Sequence, residues 1–125
     1  TISQIFSKKG LPDIISSLRK NNSDFTKNTL ESLSRNSTLS VCCTFEIIRR
    51  LKQNKDLNIR EALSAEYQYT YRAVEHSDFL EGIRAQVIEK DRKPLWRHKT
   101  VMDVKESEVN KMLGNLGKNT LSWED

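Results

Sequence analysis

The stretch Asn58-Ile59-Arg60-Glu61-Ala62-Leu63-Ser64-Ala65-Glu66-Tyr67-Gln68-Tyr69-Thr70-Tyr71-Arg72-Ala73-Val74 decides the fold class. Ile59, Leu63, Tyr67, Tyr71 and Val74 return every three or four residues, the spacing that lines one face of an α-helix. Asn58 stands where a side-chain oxygen can cap the first unpaired N–H groups. Tyr67 and Tyr71 share a face and are expected in the core with their hydroxyls reaching solvent or a partner, while Tyr69 points elsewhere.

The same period continues on both sides. Upstream, Leu11, Ile14, Ile15 and Leu18 form one apolar stripe, with Pro12 in the first turn, where its missing N–H costs nothing. Asn21-Asn22 ends that helix and Ser23 can cap the next, whose stripe of Phe25, Leu30 and Leu33 is thinner. Ser37 is the next N-cap, ahead of Val41, Phe45, Ile48 and Leu51, and Arg49, Arg50 and Lys52 load the positive charge that a helix C-terminus favours. Gln53 to Asp56 reads as a loop. Downstream, Ser77 is read as the cap of a fifth helix, with Asp78 in its first turn and Phe79, Ile83 and Val87 on one side. Lys90-Asp91-Arg92-Lys93-Pro94 is expected to stop that helix, since the residue before proline avoids helical geometry. A last helix is expected over Glu106–Leu116, with Gly114 and Gly117 near its end, and the tail from Lys118 is expected to fray. The reading is an all-α chain of about six helices forming one domain over residues 1–125, with Phe45, Ile48, Tyr67, Tyr71, Phe79 and Ile83 buried.

Composition agrees. Four glycines and two prolines in 125 residues, without an Asn-Gly or Asp-Gly pair, argue against hairpins. Apolar residues make up 36% and charged residues 30%, so the affordable core is small. The 21 Lys+Arg against 17 Asp+Glu are interspersed, which favours solubility and does not mark a nucleic-acid binder. No apolar run is long enough to span a bilayer. Thr1-Ile2-Ser3-Gln4 shows no signal-peptide pattern, and without a starting Met the chain is expected to be a trimmed or internal piece of a longer one.

Few residues offer chemistry. Cys42 and Cys43 are neighbours whose side chains diverge on a helix, so they read as reduced thiols on or near a buried face. Neither has the partners of a zinc site. His76 and His98 lack a Ser, Cys or Asp at a catalytic spacing and read as capping or surface residues. Glu66, Glu75, Asp78, Glu81, Glu89 and Asp91 fall on charged faces or in caps, where solvation is the default. No catalytic residue, metal ligand or cofactor is assigned. The feature that stands out is a helix from Asp78 with Gly82 inside it, leading through the basic turn Lys90-Asp91-Arg92-Lys93 to Trp96. The glycine costs about 1 kcal/mol relative to alanine, which close approach of another backbone or a ligand would explain. A basic turn after a helix can meet a phosphate with a cluster of donors.

Asp78, Phe79, Glu81, Gly82, Arg84, Ala85, Ile88, Glu89, Lys90, Asp91, Pro94 and Trp96 together resemble the C-terminal signature of 3-hydroxyisobutyryl-CoA hydrolases, members of the crotonase superfamily. Shorter crotonases carry a looser version of it. The likeness extends over nearly the whole chain. Leu11 to Leu18 is similar to the family's helix after the crotonase core. Ser37, Ser40 and Thr44 resemble a serine-rich segment in which Thr38 and Val41 replace a proline and a leucine. Glu66-Tyr67 resembles a family tripeptide, with Gln68 in place of arginine.

The resemblance implies the helical C-terminal domain of a crotonase-like protein without its spiral core. It implies a CoA-thioester hydrolase for valine breakdown, whose catalytic carboxylates and oxyanion hole lie upstream. It also places Lys90 at the CoA 3′-phosphate, with Arg92 beside it on grounds of charge. The partners implied are the CoA thioester and the upstream core, and self-association through an apolar face is expected. The compartment would be the mitochondrial matrix in a eukaryote and the cytoplasm in a bacterium. Two other functions fit the same resemblance: a structural component of a mitochondrial ribosome, and a hydratase or isomerase of the superfamily.

Overall fold

The computed structural model describes residues 4, 10–56 and 58–123. Among them the chain forms six α-helices and no strand: α1 (Leu11–Lys20), α2 (Asp24–Arg35), α3 (Thr38–Gln53), α4 (Ile59–His76), α5 (Phe79–Ile83) and α6 (Glu106–Leu113). A single π-helical turn, Arg84–Ile88, continues α5. Thr1–Ser3 and the last two residues of the expected frayed tail lie outside the described residues. Trp123 in that tail lies under the Arg60 guanidinium, 5.7 Å from the ring centroid.

The starts of α2, α3 and α4 follow their capping side chains. Ser23 Oγ accepts the Thr26 N–H at 3.3 Å and Thr26 Oγ1 accepts the Ser23 N–H at 3.2 Å, a reciprocal box that buries the Thr26 hydroxyl. Ser37 Oγ accepts from the Ser40 N–H and Asn58 Oδ1 from the Glu61 N–H, each satisfying a donor the helix cannot. At the start of α5, Ser77 Oγ accepts the Phe79 N–H at 3.2 Å, but the N-cap position falls to Asp78, whose carboxylate is engaged elsewhere.

Helix α3 is central. On one side Leu39 and Cys43 join Val109, Met112 and Leu113 of α6, with Cys42, Ile47, Tyr69 and Val104 packed around them. On the other, Phe45 packs against Ile14 and Leu18 of α1, beside Leu30 and Leu33 of α2. Both cysteines are free thiols. Burial pushes the Cys43 thiol up to about 12, with neighbouring Cys42 adding to the shift. Arg72 of α4 donates to the carbonyls of Met112, Gly114 and Asn115. Helix α6 stops at Leu113 and not at Leu116, and the carbonyls at its end are satisfied by this guanidinium.

The expected core is corrected. Ile48, Tyr71 and Phe79 are 49%, 51% and 51% exposed, and Phe45, Tyr67 and Ile83 are only partly buried. The cause is clearest on α4, which is apolar on two faces. Its inner face carries Ala62, Ala65, Tyr69 and Ala73, partly or fully buried, and Tyr69 OH sits 2.6 Å from Ser40 Oγ of α3. The small residues let the helices approach closely. The stripe of large residues that periodicity selected lies on the other side, with Ile59 70% exposed and Leu63 and Val74 also open. Tyr67 and Tyr71 do share a face, their ring centroids 6.0 Å apart, but Tyr69 is the tyrosine in the core.

These positions separate in a stability measurement. Leu18, fully buried, should cost about 2–5 kcal/mol when truncated to alanine. Phe79→Ala in the same chain should cost only about 1 kcal/mol, because half of its surface is already in water. Urea denaturation checks both, and equal losses at the two sites would contradict the packing described.

Candidate functional site

The turn after α5 is assembled from residues spread over the chain. Asp78, between α4 and α5, is 4% exposed and accepts the Ser37 hydroxyl at 2.6 Å and the Arg97 N–H at 3.0 Å. The Arg97 guanidinium lies 3.9 Å away. Thr38 Oγ1 adds a bond to the His98 carbonyl at 2.9 Å. The start of α3 and the strand-like segment after the turn are thereby tied to the head of α5. Sequence reading left Asp78 solvated in a cap, and the structure corrects this to a buried, fully engaged carboxylate. Gly82 faces the Trp96 indole, which an added Cβ would meet at 3.7 Å, so the neighbour that approaches this glycine is a side chain.

One turn further along α5, Glu81 and Arg84 pair side-on at 2.6 and 2.7 Å, and Glu81 also accepts the Leu95 N–H at 2.7 Å. Arg84 reaches Glu89, Asp91 at 2.8 Å and the Lys93 carbonyl at 3.4 Å as well. Fork-shaped guanidinium suits such many-armed pairing. Hydrogen bonds from Arg84, then from the Leu95 amide, hold the Glu81 carboxyl at about 2. Arg84 likewise lowers Asp91.

The helix ends ahead of the 90–94 segment, as expected. It widens into the π turn, where the Glu89 N–H bonds the Arg84 carbonyl, and the chain then reverses. Lys90 and Arg92 both take φ of 56°, the left-handed region that costs an L-residue roughly 1–2 kcal/mol. The Arg92 N–H bonded to Ala85 O at 2.9 Å and the Lys93 N–H bonded to Asp91 Oδ1 at 2.9 Å hold them there. The charges are sorted as a result. Glu89 and Asp91 turn to Arg84, whereas Lys90 and Arg92 are exposed and, among the described residues, make no side-chain hydrogen bond or ion pair. The turn thus leaves the two cations selected from sequence exposed and apart from the neighbouring acids. The Arg84 hub escaped sequence reading, although its three-residue spacing from Glu81 was a visible signal.

Elsewhere the chemistry is sparse. His98 lines a groove of about 570 Å³ between the 94–102 segment and α1–α3, walled by apolar residues such as Ile15, Leu33 and Trp96. Its Nε2 stands 2.6 Å from Glu108 Oε2, but off the line of a hydrogen bond, so this is a contact of charges when the ring is protonated. His98 Nδ1 is buried without a partner among the described residues, so no hydroxyl is paired to that nitrogen as a nucleophile. His98 is thus an interior residue, not a surface one. His76 is half-exposed beside Glu75. No group of three or more potential metal ligands gathers among the described residues, and no described helix is long and apolar enough to cross a membrane.

Among the described residues the fold is all-helical, and the turn after α5 leaves the side chains of Lys90 and Arg92 exposed. Residues 1–113 match the family model described as enoyl-CoA hydratase/isomerase, and the chain belongs to that family. It is 31% identical over 96% of its length to the mitochondrial 3-hydroxyisobutyryl-CoA hydrolase of Xenopus laevis, and 29% over 98% to that of Homo sapiens. The chain spans only 30% and 31% of those proteins. Among solved structures, an enoyl-CoA hydratase from Rhodobacter sphaeroides superimposes with a TM-score of 0.90 at 40% identity, over 98% of this chain and 35% of that one. A carnitinyl-CoA dehydratase from Mycobacterium thermoresistibile gives 0.83 at 25% identity, over 98% and 34%.

Because the Glu81 carboxyl is lowered in the fold, its contribution is present above its unfolded value and is lost as pH falls through the folded one. Trp96 emission, read in a Trp123→Phe background, should therefore respond to a step between roughly pH 4 and 2 that Glu81→Gln removes. A step unchanged by Glu81→Gln would contradict the assignment.

Proposed function

We propose that residues 1–125 form the helical C-terminal domain of a longer CoA-thioester hydrolase acting on 3-hydroxyisobutyryl-CoA in valine breakdown. The observation that carries this reading is the sorted turn, in which Lys90 and Arg92 stand unpaired among the described residues while the neighbouring acids are bound to Arg84. Such a turn recognises a phosphate as a pair of charges and does nothing to an acyl group. In this reading Lys90 meets the CoA 3′-phosphate with Arg92 beside it, and the carboxylates and oxyanion hole that cleave the thioester lie upstream. The similarity to 3-hydroxyisobutyryl-CoA hydrolases over nearly the whole chain supports the choice of substrate. The exposed large-residue face of α4 supports packing on an upstream crotonase core, since a helix apolar on more than one side is normally covered. Where that core is missing, the same face would drive self-association. In a eukaryote such an enzyme would work in the mitochondrial matrix, as the names of the relatives suggest, and in a bacterium in the cytoplasm.

A second reading, a hydratase of the same superfamily, is favoured by the 40% identity to the solved enoyl-CoA hydratase. The two differ in what they release. The full-length protein given 3-hydroxyisobutyryl-CoA should liberate free CoA thiol, whereas a hydratase would instead add water to an α,β-unsaturated acyl-CoA and keep the thioester intact. The 125-residue chain alone should do neither.

Lys90→Ala in the full-length protein should raise KM for the CoA thioester by about tenfold with kcat little changed, the signature of binding shared by ground and transition states. The effect should disappear with the 3′-dephospho substrate. Identical kinetics of wild type and variant on both substrates would leave Lys90 a solvated surface lysine.

A further inference from the structure

We infer that Arg84 is the positioning residue of the phosphate-binding turn, acting by drawing Glu89 and Asp91 out of the anion's way. The inference rests on the reading of Lys90 and Arg92 given above. Residues 89 to 92 alternate in charge: Glu, Lys, Asp, Arg. In a frayed segment, with no side chain holding the acids, they would move freely among the two bases, and an approaching phosphate would meet a field close to neutral. Like charges so placed cancel much of the attraction that the cations supply.

The fold breaks this alternation with one side chain. Arg84 Nη1 takes both Glu89 and Asp91, while Nη2 and Nε hold Glu81. Glu81 in turn receives the Leu95 N–H, and Arg84 Nη2 reaches the Lys93 carbonyl, so the far end of the turn is fixed to the same hub. With the backbone left-handed at Lys90 and Arg92, residues 89 and 91 meet one guanidinium while 90 and 92 remain exposed. Arg84 itself is saturated by three carboxylates and a carbonyl, so it has no role in touching the ligand. Its effect passes entirely through the turn.

The test uses the full-length protein titrated with CoA and with 3′-dephospho-CoA. Arg84→Gln should weaken CoA binding by about tenfold and leave 3′-dephospho-CoA unchanged, although the altered residue is not a contact. Adding Glu89→Gln and Asp91→Asn to Arg84→Gln should recover most of the loss, because there is then no opposing charge to withdraw. Arg84→Lys, which keeps the charge but lacks the fork, should fall between wild type and Arg84→Gln, and serves if Arg84→Gln does not fold. Equal weakening of both ligands, or no recovery on neutralising the acids, would make Arg84 a merely structural residue and overturn the inference. If Lys90→Ala itself fails to distinguish the two ligands, the phosphate reading falls. Amide exchange then decides the positioning role alone: Arg84→Gln should speed exchange of the Arg92 N–H, bonded to Ala85 O, by about tenfold or more. Unchanged exchange there would overturn it.

Discussion

A buried carboxylate holds this structure in register. The Asp78 side chain is tolerated away from water only if its oxygens are bonded, and the Ser37 hydroxyl, the Arg97 amide and the nearby Arg97 guanidinium meet that demand. The partners lie 41 and 19 residues away in sequence, so satisfying one side chain fixes the start of α3, the α4–α5 junction and the segment after the turn against one another. Once these are fixed, Trp96 lies on Gly82, Leu95 reaches Glu81, and the turn from Glu89 to Lys93 has two anchored ends.

What was legible in the sequence was local. Ser23, Ser37 and Asn58 cap the helices they were assigned to, because a cap depends on neighbours three residues away. The family resemblance was legible too, because its fixed positions form one continuous signature. The burial pattern was not. Periodicity finds an apolar stripe on α4, but it cannot tell which of two apolar faces the rest of the chain will cover. The close-packed face is the one with Ala62, Ala65 and Ala73, a run that looks weaker on a hydropathy count. The end of α5 was legible in place but not in form. The 90–94 segment reads as a stop, but the π turn before it and its two left-handed residues depend on bonds from Ala85, Arg84 and Asp91.

The candidate site was half visible. Lys90 and Arg92 could be chosen from charge and resemblance, but their accessibility depends on where the intervening acids go. That is a tertiary matter, decided by the reach of Arg84. The same logic explains the sparse chemistry elsewhere. His98 faces Glu108 with no hydroxyl on its buried nitrogen, and the cysteine in the core is held protonated by burial. The α4 face is left apolar and exposed, and the buried core is confined to two small apolar clusters.

A crystal structure of the full-length protein with CoA bound tests that account most directly. The expected result is the 3′-phosphate within hydrogen-bond distance of Lys90 Nζ, Glu89 and Asp91 still on Arg84, and Ile59, Leu63 and Val74 covered by the upstream chain. A phosphate seated away from the 89–93 turn, with the α4 face left open to solvent, would contradict it.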